Sequence, residues 1–514
     1  MANETNDAVF QLIKSLTRTE KRHFRLFANR QGSTEGLKFL QLFDAFDAAA
    51  HYDEERVLAQ VPAIRKVQLA NLKANLYRQL LASLRMYHAG QNLDIQLREQ
   101  LDYARVLYNR GLYQQSLRML ERVKAAAQQV GMGHIALQAL DFEKLIEAQY
   151  ITRSLRGRAE ELSAEALTLV EHVSQQHVLS NLALRMYGFY LQIGHARNQQ
   201  DFDGLTTFFR TTLKDVNMHN ADFFERLYYY QAHVWYYTIT QNFLACYRYA
   251  QKWVDLFERN STICEQQTTL YLKGLHNLLI TTYNLLYYSK FNRVLVALEA
   301  FAANPERRSN PNIEMLLFLY IYTNRINASF MQGRFTEGLT IIPSLLANLT
   351  QFQPQLDLHR LMVFYYKIAS LYFGSGNFNK AIEYLTKIIQ FKDSALREDI
   401  QCFARILNLI AHYEAGRDES LDYQIKSVYR YLGKMNDQQQ MQVAIFQFLR
   451  TVAELNPQEL KGAFIRLKDQ LTTIAANPFE RRPFMYLDII SWLESKIENR
   501  PVEEIMQRKF ALLK

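Results

Sequence analysis

A turn phrase returns eight times along this chain of 514 residues, and it limits the possible folds more than any other feature. In each copy a glycine or small polar residue precedes an aromatic or apolar residue and then a helix-favouring run. The copies read RGLYQQSLRMLERV at Gly111, LRGRAEELSAEALTLV at Gly157, NQQDFDGLTTFF at Gln200, TQNFLACYRYAQKW at Gln241, YYSKFNRVLVALEAF at Ser289, MQGRFTEGLTII at Gly333, GSGNFNKAIEYL at Gly376 and EAGRDESLDYQIKSV at Gly416. Successive anchors lie 40 to 48 residues apart. A steady period of this length marks one supersecondary unit used repeatedly, each copy burying its apolar face on the next. The chain is also longer than one core usually supports, which a stack accommodates and a single globule does not.

The unit is helical. Glycine (18) and proline (9) are scarce, and no proline stands between Pro62 and Pro305. Long runs of Leu, Ala, Gln, Arg and Glu lose little on entering a helix, and the turn punctuation that strands need every 8 to 12 residues is missing. A helical hairpin filling the interval has two helices of about 18 residues, each about 27 Å long.

The copy at Gly376 shows the packing logic. Ala369 and Tyr372 share one helix face, Gly376 and Phe378 make the turn, and Ala381, Leu385 and Ile388 form a stripe on the next helix. Small residues let paired helices approach, and aromatic residues fill the wedge between pairs. This pattern, A-x-x-Y-F-x-S-G-N-F-N-K-A-I-E-Y-L-x-K-I, resembles a tetratricopeptide repeat, lengthened from the usual 34 residues. The resemblance covers about residues 93–470 and implies an all-α fold, an α-α superhelix or solenoid. Residues 1–92 then form an N-terminal basic helical domain, with helices starting near Thr17, Glu35 and Ala63, the first opened by the capping box TRTE. Residues 471–514 form C-terminal capping helices.

Several classes of function find no support. No segment supplies the roughly 20 apolar residues of a membrane span, and the first residues lack the basic and then apolar run of a signal peptide. Three cysteines, Cys246, Cys264 and Cys402, show no metal or redox spacing and are expected to be small buried apolar residues in a reducing compartment, so the chain is expected to be cytoplasmic. No phosphate-binding loop, zinc-protease helix, nucleophile elbow or dinucleotide fingerprint occurs. Gly374 to Gly376 fall in a helical turn, His172 and His177 are poorly spaced to share a metal on a helix, and the remaining histidines are scattered. No catalytic residue, cofactor or metal site is therefore expected.

Two surfaces are candidates for recognition. Arg18, Lys21, Arg22 and Arg25, with Arg30, gather near one helix, and Lys66, Lys73, Arg78 and Arg85 lie in a stretch without acidic residues between Glu55 and Asp94. They form a possible dock for an acidic partner, or a helical DNA reader. Arg78 and Arg85 oppose Leu72, Leu76 and Leu80, as on an ordinary amphipathic helix, and 60 basic against 51 acidic residues is a mild imbalance for a nucleic-acid binder. The second candidate is aromatic, in a chain with 31 Tyr and 32 Phe. The tetratricopeptide resemblance implies a concave face made by the first helix of each hairpin, and its register puts Tyr187, Tyr190, Tyr228, Trp235, Tyr283, Tyr320, Asn327, Tyr366 and Phe373 there. The Lys and Asn pairing with which some such domains hold a C-terminal carboxylate is not reproduced at the matching positions. The expected function is a non-enzymatic scaffold or adaptor binding a protein or peptide. The alternative is a bacterial regulator of the same repeat class that responds to a peptide or binds DNA through its basic N-terminal helices.

Overall fold

The computed structural model describes residues 7–29, 34–90, 92–149, 157–307, 310–353, 356–391, 398–416, 425, 428, 440–452, 455–481, 484 and 488–512. Among them are helices and turns and no strand, so the chain is all-α. None of the described helices is long and apolar enough to cross a membrane. Arg30, most of the copy at Gly416 and parts of the loops at 304–312 and 477–483 lie outside the described residues.

Contacts divide the chain into two compact units, Met1–Val173 and Ser174–Lys514. The first opens with helices Ala8–Ser15, Arg18–Asn29, Thr34–Ala48, Glu54–Gln60 and Lys66–His88. The capping box forms as expected: Thr17 N donates to Glu20 Oε2 at 2.7 Å, and Glu20 N donates to Thr17 Oγ1 at 3.3 Å. Val9, Ile13, Phe24, Phe43, Phe46, Leu76 and Leu80 form a core of their own, each such side chain contributing about 1.5–3 kcal/mol by leaving water. Leu93–Asn109 then pairs with Tyr113–Gln129, which pairs with Gly133–Gln149 around Leu117, Leu120, Ile135 and Leu140. Inside this stack, buried Glu143 accepts from Lys124 at 3.1 Å and from Arg158.

The interval of the turn phrase is visible in the backbone. Gly111, Gly157, Gly333, Gly376 and Gly416 all have the left-handed conformation, with φ from 62° to 92°, which at Gly111, Gly333, Gly376 and Gly416 follows the end of a helix and is reached without the penalty a Cβ would bring. Two anchors are corrected. The left-handed residue near Gln200 is Gly194, and the one near Ser289 is Leu286. The phrase was misplaced there because Leu286 is not a glycine, and because Gly194 is followed by four further residues before the next helix starts at Gln199. Arg158–Ile193 is a single helix of 36 residues. It contains no glycine or proline until Gly188, which lets the helix run on unbroken.

In the second unit, helix pairs succeed one another: Phe223–Ile239 with Phe243–Glu258, Thr268–Asn284 with Tyr288–Ala303, and Leu358–Gly374 with Phe378–Ile389. Between the last two, Pro311–Gln332 packs on both helices of the pair before it. Packing is close where small residues stand: a Cβ on Gly374 would lie 2.4 Å from the Phe335 ring. The C-terminal end returns on the hairpins. Ile489–Glu498 packs on Pro457–Ala476, while Val502–Leu512 lies against Pro311–Gln332. Phe510 meets Tyr288 edge-on at 4.8 Å, and Glu503 accepts from the Thr336 hydroxyl at 2.6 Å. A Cβ on Gly333 would approach Gln507 N to 2.6 Å, so that glycine is required both by its φ of 62° and by this contact. Cys246 and Cys402 are buried as expected, and Cys264 is only half-buried.

Candidate peptide-binding surface

The first helices of successive hairpins in the second unit bring a run of aromatic and cationic side chains together. Trp235, on Phe223–Ile239, stands between Tyr187 at 4.8 Å and Tyr190 at 5.3 Å, both on Arg158–Ile193. Lys273, on the next such helix, places its ammonium 5.4 Å from the Tyr187 ring and 5.9 Å from Trp235. One turn further along, His276 stacks on Tyr320 of Pro311–Gln332 at 4.2 Å and 10°. Asn324 Nδ2 lies 3.2 Å from His276 Nδ1 and donates to Tyr320 O at 2.7 Å. Asn327 then donates to Asn324 Oδ1 at 3.3 Å and accepts from Lys367 Nζ at 2.5 Å. Lys367 and Arg360 belong to Leu358–Gly374.

The electrostatics of this run are unusual. Among the described residues neither Lys273 nor Lys367 forms an ion pair, and both are half-buried. Burial pushes the Lys367 ammonium down to about 8 and lowers Lys273 as well, because a charge taken from water without a counter-charge is destabilised. His276 is pushed down to about 3, first by burial and then by Lys367, Arg360 and Lys273. It is a neutral ring near three cations. Burial raises Tyr320 to about 12. Arg360 alone has a carboxylate near, Asp357 at 3.5 Å on an exposed turn, a contact worth little in water. Chemically, the run offers flat aromatic faces and uncompensated ammonium groups, with the amides of Asn324 and Asn327 buried beneath them.

The nine residues expected on this face divide. Tyr187, Tyr190, Trp235 and Tyr320 enter the run just described, whereas Asn327, 1% exposed, is corrected to a buried residue that holds Lys367 from beneath. Tyr228 is half-buried beside Phe224 at 6.3 Å, and Tyr283 is pushed up to about 12 by burial and by Asp488. Tyr366 and Phe373 are corrected to core residues, 7% and 6% exposed, within the largest apolar cluster. The residue next to Tyr366, Lys367, takes the place assigned to it, because a slip of one residue turns a side chain by about 100° around a helix. Lys273, His276, Asn324, Arg360 and Lys367 were missed, as no local motif ties together side chains from three separate helices. Part of the run touches the chain's own C-terminal segment: Phe479 packs on the cluster that includes Trp235 and Tyr190, and Gln241 Nε2 donates to Pro478 O at 3.3 Å.

The basic residues of the N-terminal helices behave differently. Lys21 pairs with Asp47 at 2.7 Å, Arg25 with Asp44 at 2.8 Å and Asp47 at 3.1 Å, and Lys73 with Asp7 at 2.7 Å. Arg85 approaches Glu99 at 3.8 Å and Asp102 at 3.9 Å. Arg18, Arg22, Lys66 and Arg78 are exposed and make no ion pair among the described residues. Elsewhere, a cleft of about 630 Å³ between Gln440–Val452 and Pro457–Ala476 is lined by Gln440, Gln447, Gln470, Thr473 and apolar residues.

Compared with family models, with curated proteins and with solved structures, the chain has no significant match.

Proposed function

We propose that the chain is a non-enzymatic scaffold of the lengthened tetratricopeptide-like kind, and that the run from Tyr187 to Lys367 binds a peptide segment of a partner protein. One observation carries this reading: two half-buried lysines without carboxylates lie among stacked aromatic rings on the first helices of successive hairpins. Burying an unpaired ammonium costs stability, and a bound acidic group would repay that cost. Tyr and Trp give large contact area at low entropic cost, as at many recognition surfaces. Selection of a displayed peptide library on the full chain tests this. Enriched sequences should contain Asp or Glu, and Trp235→Ala with Lys273→Met should weaken their binding about a hundredfold while unfolding temperature is kept. Failure to enrich any sequence, or binding indifferent to both substitutions, would reject the reading.

The competing function, DNA binding by the N-terminal helices, draws on fewer cations than the sequence suggests, since Lys21, Arg25 and Lys73 each face a carboxylate. It requires a salt-dependent affinity for duplex DNA.

A further inference from the structure

Helix Lys66–His88 has two apolar faces, and among the described residues only one is covered. Leu69, Leu76, Leu80 and Ser83 are buried against the N-terminal bundle. On the other side Val67, Ala70, Ala74, Tyr77 and Leu81 follow one another at alternating steps of three and four, the spacing of the a and d positions of a heptad. All five are exposed, Val67 at 91%, Tyr77 at 37% and Leu81 at 44%. In the same frame Lys66 and Lys73 are g residues and Arg78 and Arg85 are e residues, so the seam is edged by cations on both sides. Lys73 turns inward to Asp7 and Arg85 approaches Glu99 and Asp102, leaving Lys66 and Arg78 as the rim cations without an ion pair among the described residues. The helix carries no acidic residue.

We infer that this seam is a docking site for one amphipathic helix of a partner protein, with apolar a and d residues and glutamate or aspartate at its e and g positions. Charge complementarity selects that occupant. A second copy of the same helix would oppose cation to cation along both edges, and like charges at these positions repel. Duplex DNA would meet an apolar strip of Val67, Tyr77 and Leu81 where a groove presents polar base edges and phosphates. A helix laid in register covers the strip and places its carboxylates beside Lys66 and Arg78, and beside Arg85 in competition with Glu99 and Asp102.

The test uses the full chain and synthetic helices of about 21 residues, three heptads long, with Leu at a and d and either Glu or Lys at e and g. The Glu helix should bind, more weakly as salt rises, and at least tenfold more tightly than the Lys helix. Leu81→Glu, an exposed change that leaves unfolding temperature unaltered, should weaken the Glu helix by at least tenfold. Arg78→Glu together with Arg85→Glu should reverse the preference. Equal binding of both helices, no binding at about 1 mM, self-association of the chain abolished by Leu81→Glu, or tight binding of duplex DNA in place of the Glu helix would each overturn the inference.

Discussion

Lys73, in the N-terminal helices, has Asp7 at 2.7 Å and the Tyr52 hydroxyl at 2.8 Å, whereas Lys367, in the hairpins of the second unit, has among the described residues only the amide oxygen of Asn327 and the Phe330 ring at 5.5 Å. The first cation comes from the stretch that looks most basic in sequence, and the second from a stretch with no basic cluster. In space the order is reversed. Lys21 and Lys73, from stretches crowded with cations, are satisfied by Asp47 and Asp7, while Lys273 and Lys367, far apart in sequence, both lie near His276 without a carboxylate among the described residues. Ligand affinity follows the uncompensated charge, so the less conspicuous region is the stronger candidate for recognition.

Removing each lysine separates the two cases most sharply. Lys73→Met should destabilise the chain by about 1–3 kcal/mol, because it leaves the largely buried carboxylate of Asp7 without its partner. Lys367→Met should leave stability unchanged or raise it at pH 7, since a charge that burial disfavours is replaced by an apolar chain of similar size. Urea unfolding of both variants checks the signs, and a loss for Lys367→Met as large as for Lys73→Met would erase the contrast.

Acid should act next on the hairpin surface. His276 ordinarily titrates near 6.5 and in the fold near 3, so the unfolded chain binds the extra proton first. The stability it contributes is complete above pH 6.5 and is lost as pH falls toward 3. Lys367 acts in the same sense at higher pH: its stability contribution grows as pH rises from about 8 to 10.5. Unfolding of His276→Gln between pH 6.5 and 3 should show a shallower acid loss than the unsubstituted chain.

A smaller change tests the N-terminal region. Asp47→Asn frees Lys21 from its carboxylate and leaves Arg25 only Asp44. Any weak affinity for duplex DNA should then show a salt slope steeper by about one to two charges, measured by fluorescence anisotropy. The smallest effect is conformational: Leu286→Gly should stabilise by about 0.5–1 kcal/mol, because an exposed leucine now holds a left-handed φ of 57°.

These effects also show what the residues alone could reveal. The helical class and the hairpin interval were legible because glycine at a left-handed turn leaves a local mark, as at Gly111, Gly333 and Gly376. Where Leu286 took that conformation the mark vanished and the anchor slipped by three residues. The aromatic half of the candidate surface was partly legible, since Tyr187, Trp235 and Tyr320 follow the repeat register. Its cationic half was not, because Lys273 and His276 come near Lys367 only when Thr268–Asn284, Pro311–Gln332 and Leu358–Gly374 are packed together. Lys367 was missed by a single residue in favour of Tyr366, whose ring belongs to the core.

The titration of Lys367 tests the central claim most directly. Nuclear magnetic resonance of the labelled lysine side chains should show its ammonium losing a proton near pH 8, and doing so at higher pH once an acidic peptide enriched by library selection is bound. A midpoint near 10.5 in the free chain, unmoved by that peptide, would contradict an uncompensated buried cation and with it the proposed binding surface.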